Sequence, residues 1–325
     1  MQYAVFKWHF LTEVRFGNNK GQLADSGYIM HSDTLFSALC LEALKLGGEA
    51  ELQKLYQLCS AGKLLLSDTM PYVGETYFLP KPILMVAATQ QESSSVLKKA
   101  YKKLNYISAE QFSNYLKSLK GQAQFDVMAA NKSFANCVQA QTRVQVAVTG
   151  QTEPLPYYVN TWRFAPNAGL YFIVGYEQED DIAWLEQLVN SLGYSGVGGK
   201  KNSGLGKFTT EDVIYLEDAY SDGLDALQQL LTSKGDWYMT LSGALPQDDE
   251  LEQALQGAAY QVLKRSGFVD STQYATEQRK HKTVFILAAG SCFRQPFAGG
   301  IYDVAGSGRH PVYRYAKPLF LGVSV

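Results

Sequence analysis

The segment from Ser195 to Phe208 constrains this chain most. It reads Ser-Gly-Val-Gly-Gly-Lys-Lys-Asn-Ser-Gly-Leu-Gly-Lys-Phe, with five glycines, three lysines and no acid. A helical stripe precedes it (Ile182, Leu185, Leu188, Val189, Leu192), and strand-like residues follow from Phe208 to Leu216. That order matters, because both nucleotide-binding glycine loops run from strand to helix. Counting excludes them too. A Walker A loop would need glycine at Tyr194 or at Lys201, and the dinucleotide fingerprint would need its third glycine at Lys201. What remains is a cationic loop of small residues that a phosphate backbone can approach closely. Glycine admits positive φ, successive N–H groups can point at phosphates, and lysines add a salt-dependent attraction. The plainer reading is a long surface loop with solvated lysines.

The elements around this loop set the fold class. From Tyr3 to Leu11 the apolar Ala4, Phe6, Trp8 and Phe10 alternate with Lys7 and His9, which predicts a half-buried strand. A helix follows over Leu35, Phe36, Leu39, Cys40, Ala43 and Leu44, with Ser32 or Asp33 expected to cap its start and Gly47-Gly48 to stop it. Leu64–Leu66 begins a second strand, Leu170–Val174 is an apolar strand core, and the stripe ending at Leu192 is the second helix. The order β-α-β, interruption, β-α-β is the ferredoxin-like pattern. The interruption, about 68–167, carries Lys98, Lys99, Lys102 and Lys103 ahead of an amphipathic helix at Ser108–Leu119. A loop of that length is not structureless inside a compact unit, so it reads as a folded insertion with its own hairpin or helices. Further on, a strand at Trp237–Leu241, a helix at Leu251–Leu263, a strand at Thr283–Ala289 and a last strand at Tyr313–Val325 repeat the theme. The expected class is α+β, with two ferredoxin-like (RRM-like) domains. The first spans 1–216, with the insertion at about 68–167 and the glycine loop at 195–207; the second spans 217–325.

Composition narrows the function. Of 325 residues, 29 are Lys or Arg and 31 are Asp or Glu, a net charge of −2, so a strongly basic nucleic-acid-coating protein is excluded while clustered basic sites are not. Basic residues do cluster near the end, where Arg309, His310, Arg314 and Lys317 interleave with Tyr313 and Tyr315. Such a mixture either stacks bases and neutralises phosphates or fills space between the halves. The acids between Glu177 and Glu252 suit a protein partner or a solvated face. Cys40, Cys59, Cys137 and Cys292 form no C-x-x-C pair, and the adjacent acid pairs lack companion ligands, so no metal or cofactor is expected. No stretch of 18 uncharged apolar residues occurs and no targeting segment is visible, so the chain reads as cytoplasmic with no membrane partner.

With these residues in place, Gly-x-Gly-Gly-Lys-x-x-x-Gly-x-Gly-x-Phe after the second helix resembles the G-loop of the CRISPR-associated RAMP superfamily. The stretch His31-Ser32-Asp33-Thr34-Leu35-Phe36-Ser37-Ala38-Leu39 is similar to the first-helix signature of the fourth Csm subunit of type III-A effector complexes. Thr142-Arg143-Val144 through Tyr157-Tyr158-Val159, Gly290-Ser291-Cys292-Phe293 and His310-Pro311-Val312-Tyr313-Arg314-Tyr315 resemble the same family. The resemblance implies a non-catalytic subunit that holds the 5′ repeat-derived tag of the crRNA. It also implies contacts with the large polymerase-type subunit and the backbone RAMP subunit, and an inserted thumb lying against the guide–target RNA duplex. Carried onto this sequence, it places tag phosphates on Gly196, Gly198, Gly199, Lys200, Lys201, Asn202, Ser203, Gly204, Gly206 and Lys207. Further RNA contacts fall to Ser32, Arg143, Ser291, Arg309, His310, Tyr313 and Arg314. The competing function is a histidine-dependent crRNA-processing endoribonuclease of the same superfamily. Only His9, His31, His281 and His310 are available for acid–base work, and no two lie close in sequence.

Overall fold

The computed structural model describes residues 1–17, 25–84, 94–135, 137–147, 155–271 and 273–324. The first half runs β1 (Gln2–Phe10), β2 (Phe16–Gly17), β3 (Ser26–Gly27), α1 (Ser32–Gly47), α2 (Glu49–Ser60), β4 (Leu64–Leu66), β5 (Met70–Val73) and β6 (Thr76–Pro80). The insertion continues with α3 (Ser95–Lys103), β7 (Tyr106–Ser108), α4 (Ala109–Leu119), α5 (Val127–Ala135) and the hairpin β8 (Val138–Ala147) and β9 (Leu155–Phe164). Then come β10 (Ala168–Tyr176), α6 (Glu179–Ser195), β11 (Phe208–Thr210) and β12 (Ile214–Tyr215). The last third holds α7 (Asp222–Thr232), β13 (Trp237–Thr240), α8 (Leu251–Leu255), β14 (Val262–Arg265), β15 (Val284–Leu287), β16 (Cys292–Phe293), β17 (Gly300–Asp303), β18 (Tyr313–Ala316) and β19 (Phe320–Val323).

The central antiparallel sheet has eight strands in the order β11-β1-β10-β5-β6-β7, with β12 also on β1 and β4 also on β10. Each edge of the β1–β10 pair therefore carries two short strands end to end. A three-stranded sheet, β16-β13-β19, lies in the last third. The molecule is mixed α/β with antiparallel sheets.

Several expectations change on folding. The first strand is buried on both faces rather than one. Ala4, Phe6 and Trp8 join a core with α1 and α6, while Val5 joins a second core built from α4, α7, β13 and β19. That second layer comes from residues 70–127 and from residues beyond 216, which a local pattern at β1 does not show. Lys7, 4% exposed on this second face, is tolerated because its ammonium meets Glu211 at 3.0 Å and Glu75 at 3.4 Å beside the Tyr72 ring. All nine residues of β10 are buried, as its unbroken apolar run predicts.

Neither Ser32 nor Asp33 caps α1. The Ser32 N–H donates instead to Asp68 Oδ1 at 2.8 Å, and the same carboxylate accepts from Gly243 N–H (3.1 Å) and meets His31 Nδ1 at 2.6 Å. The expected helix Leu251–Leu263 ends at Leu255, because Gly257 takes φ +66° and the chain turns into β14. The final strand breaks into β18 and β19 at Lys317-Pro318, and the strand after the glycine loop divides into β11 and β12. Residues 68–167 hold helices and a ten-pair hairpin, and β5, β6 and β7 among them belong to the main sheet.

Candidate nucleic-acid interface

The glycine loop leaves α6 at Gly196 (φ +78°) and returns to the sheet at β11. Its shape follows from close backbone packing. A Cβ on Gly206 would lie 1.9 Å from the Val197 carbonyl oxygen, and one on Gly198 would lie 2.4 Å from that of Arg15. Both take positive φ, so a side chain is excluded twice over. The N–H of Gly199 donates to Arg15 O at 2.7 Å, that of Gly206 to Glu13 O at 2.8 Å, and that of Val197 to Gly206 O at 3.0 Å. These three donors are spent within the protein and are not available to a ligand. Lys200 is the one non-glycine residue at positive φ among the described residues (+64°), and Lys201–Ser203 form a single 3-10 turn.

Between this loop, the end of β1 and the β8–β9 hairpin lies a cleft of about 880 Å³, lined by His9, Thr12, Glu13, Gln139, Gln141, Arg143, Arg163, Ser203 and Gly204 among others. Strand alternation sets the hairpin's contribution, since Gln139, Gln141 and Arg143 share a face with Arg163 and Thr161 across the ladder. Arg143 donates to Glu13, and so does the Thr161 hydroxyl. Burial works to raise the Glu13 pKa. The two hydrogen bonds, with the charges of Arg143 and Arg163, outweigh it and hold the carboxyl below its ordinary value. The hairpin is tied to the glycine loop from the other side, where Lys200 Nζ sits 3.3 Å from the Tyr157 hydroxyl and over its ring. The cleft therefore mixes two arginines, one histidine and one ion-paired acid with an apolar wall that includes Phe10, Leu11, Phe164 and Leu205.

The expected site residues divide into two groups. Gly204, Ser203, Asn202, Lys200, Lys201, Lys207 and Arg143 are at or near the surface of this cleft and loop. Ser32, Ser291 and Arg314 are buried. Ser291 accepts from the Gln261 N–H at 3.3 Å. The Arg314 guanidinium bonds Asp33 and the Nε2 of His281 (2.8 Å), while Arg265 grips both Asp33 oxygens at 2.8 Å. Arg314 thus ties α1 to the last third of the chain. Tyr313 packs on Tyr56 with ring centres 4.5 Å apart. Arg309 is exposed, and His310 bonds Ser271 Oγ through Nε2 at 2.9 Å and meets the Pro311 carbonyl through Nδ1.

Sequence reasoning missed Glu13, Gln141 and Arg163. Arg163 alternates correctly between Trp162 and Phe164, a signal that was present; Glu13 lies 130 residues from Arg143, and no local pattern joins them. Of the histidines, His281 has both ring nitrogens engaged, by Lys282 O and Arg314, and His31 is held by Asp68. His9 opens onto the cleft. Among the described residues no group of three or more His, Cys, Asp or Glu is placed to hold a metal ion, and no helix is long and apolar enough to cross a membrane.

Comparison with known proteins agrees along the whole chain. Residues 233–323 match the family model of the CRISPR Csm4 C-terminal domain. A Mycobacterium tuberculosis (strain H37Rv) protein, CRISPR system Cms protein Csm4, is 37% identical over 325 residues, covering 99% of this chain and 98% of that protein. Its Streptococcus thermophilus namesake is 32% identical over 99% of this chain and 100% of that protein. Among solved structures, a chain of the Csm3–Csm4 subcomplex in the type III-A CRISPR-Cas interference complex superposes with a TM-score of 0.64 at 19% identity, covering 99% of each chain. A chain of the Csm1–Csm4 cassette in complex with cA4 gives 0.60 at 17% identity, covering 99% and 98%. Fold, glycine loop and relatives define the class first, a RAMP protein of a CRISPR system. Within that class the chain belongs to the Csm4 family.

Proposed function

We propose that this chain is the non-catalytic crRNA-binding subunit of a type III-A Csm interference complex in the cytoplasm. It holds the 5′ repeat-derived tag and bridges the large polymerase-type subunit to the backbone RAMP subunit. The observation that carries the reading is the cleft between the glycine loop and the hairpin, where Arg143 and Arg163 lie beside a closely packed loop backbone whose lysines are at the surface nearby. Positive charge and polar donors of this kind suit phosphate contacts. In this reading the β8–β9 hairpin is the thumb that meets the guide–target duplex. The strand order β11/β12-β1-β10-β4/β5 supports a ferredoxin-like first domain over 1–216, and α7 with the β16-β13-β19 sheet supports a second over 217–325.

The test uses an end-labelled RNA carrying the repeat-derived 5′ tag and a matched RNA without it, each added to the reconstituted complex and run on native and denaturing gels. A tag-dependent shift without cleavage is expected. Lys200→Ala with Lys201→Ala is expected to lower affinity and to flatten its salt dependence by about one phosphate contact per lysine. Metal-independent cleavage abolished by a single histidine substitution would replace this reading with a processing nuclease.

A further inference from the structure

The ribbon formed by β14 and β15 carries an outward face that neither the glycine loop nor the cleft uses. Lys264 lies directly opposite Phe285 and Arg265 opposite Val284; beyond them Phe268 bridges Lys280. β14 ends at Arg265, and the pairing resumes at the isolated Phe268–Lys280 bridge with one more residue on the second strand than on the first. On β14 Arg265 points inward to Asp33 while Val262 and Lys264 take the opposite, exposed face, and Phe268 is exposed three residues beyond the strand. Phe268 is 53% exposed, Phe285 58% and Val262 50%. Lys280 Nζ lies 5.4 Å from the centre of the Phe268 ring, and Lys282 is exposed beside it.

Two half-exposed phenylalanines on one short ribbon recover little hydrophobic energy within this chain. Their neighbours indicate what covers them. From Val262 to Phe285 the basic residues are Lys264, Arg265, Arg279, Lys280 and Lys282 with His281, against Asp270 and Glu277. Arg265 is neutralised by Asp33, and Asp270 by Lys201 at 3.4 Å. The centre of a protein–protein interface is depleted of lysine. Aromatic rings set among lysines are instead the arrangement that stacks successive bases of a single strand while tracking its phosphates.

Location gives the second argument. The Lys201–Asp270 pair joins the ribbon to the glycine loop. Just beyond, Ser271 bonds His310 and the Tyr274 carbonyl accepts from the Arg309 N–H at 3.0 Å. The segment after Phe268 is thus the physical link between the glycine loop and the closing motif. We propose that the Phe268–Phe285 face is a base-stacking platform for single-stranded RNA, continuous with the glycine loop. It takes unpaired nucleotides by their faces, without reading their edges. The proposal rests on the RNA-binding reading above and adds to it a subsite of its own.

The experiment places 2-aminopurine singly at each position of the repeat-derived tag and measures its fluorescence in the reconstituted complex, with affinity measured in parallel. Wild-type complex is expected to change the emission at one or two positions. Phe268→Ala with Phe285→Ala is expected to abolish that change and to weaken binding roughly 5- to 150-fold per stacked base, with the salt slope kept. Phe285→Trp is expected to restore stacking. Lys280→Ala with Lys282→Ala is expected to reduce the slope by about one for each lysine that meets a phosphate. If wild-type complex binds the tagged RNA and the double phenylalanine variant matches it in affinity and emission, the platform is overturned while the subunit's RNA-binding role stands. If the variant keeps RNA but loses a protein subunit on gel filtration, the face docks protein and the proposal fails. If wild-type complex shows no tag-dependent binding, the broader reading fails and takes the platform with it.

Discussion

Asp33 shows how much one residue can decide. It is fully buried, and burial alone would favour its neutral form; the Arg265 and Arg314 guanidiniums outweigh that and hold its carboxyl well below the usual carboxylate range. Asp33→Asn leaves two buried arginines without a counter-charge, so a loss of about 3–5 kcal/mol is expected in urea unfolding. Replacement of all three by apolar residues of similar size is expected to cost far less. His281 completes the cluster. Burial, with Arg314 beside it, outweighs the Lys282 carbonyl and Asp33 and lowers its pKa below the ordinary value. Because the unfolded chain binds this proton more readily, stability falls as pH drops through the ordinary histidine value near 6.5, by at most about 1.4 kcal/mol per pH unit for one proton. Thermal melts between pH 7.5 and 5 are expected to show that decline, and His281→Gln to reduce it. An undiminished decline in the variant would assign the effect to other groups.

The glycine loop is a packed element held against Glu13 and Arg15. Two of its glycines separate space from backbone conformation. At Gly206 an added Cβ meets the Val197 carbonyl, whereas at Gly204 nothing lies within 4 Å and only the φ of +82° resists. Gly206→Ala is expected to displace the loop and reduce RNA binding at least tenfold while far-UV circular dichroism stays unchanged. Gly204→Ala is expected to cost about 1–2 kcal/mol of local strain and to bind RNA nearly normally. Equal RNA affinities for the two variants would remove the loop's shape from the binding site. The loop's glycines and lysines were legible in the sequence because they are contiguous. Its use of N–H groups was not, because Glu13 and Arg15 approach from the far end of β1.

Across the whole molecule, the two halves share their interior. The second core joins Val5, Tyr171 and Ile173 to Leu227, Met239 and Leu321, and Tyr315 packs into the first core, where its hydroxyl accepts from the Leu66 N–H at 2.9 Å. The 325-residue chain is therefore expected to melt in a single transition, and a fragment ending at residue 216 to aggregate or to lack a cooperative melt in calorimetry. Two separate transitions would show that the halves fold independently. By itself, the sequence determined β1, α1, β4, β10 and α6 in that order and the composition of the glycine loop, but not α2 (Glu49–Ser60), since periodicity and backbone freedom are properties of neighbouring residues. Only the tertiary structure decided that β1 is buried on both faces, that Asp68 rather than Ser32 or Asp33 caps α1, and that Arg314 faces Asp33 across 281 positions. The physical reason is that burial and charge pairing depend on which surfaces the finished chain brings together, and separation along the chain carries no record of that.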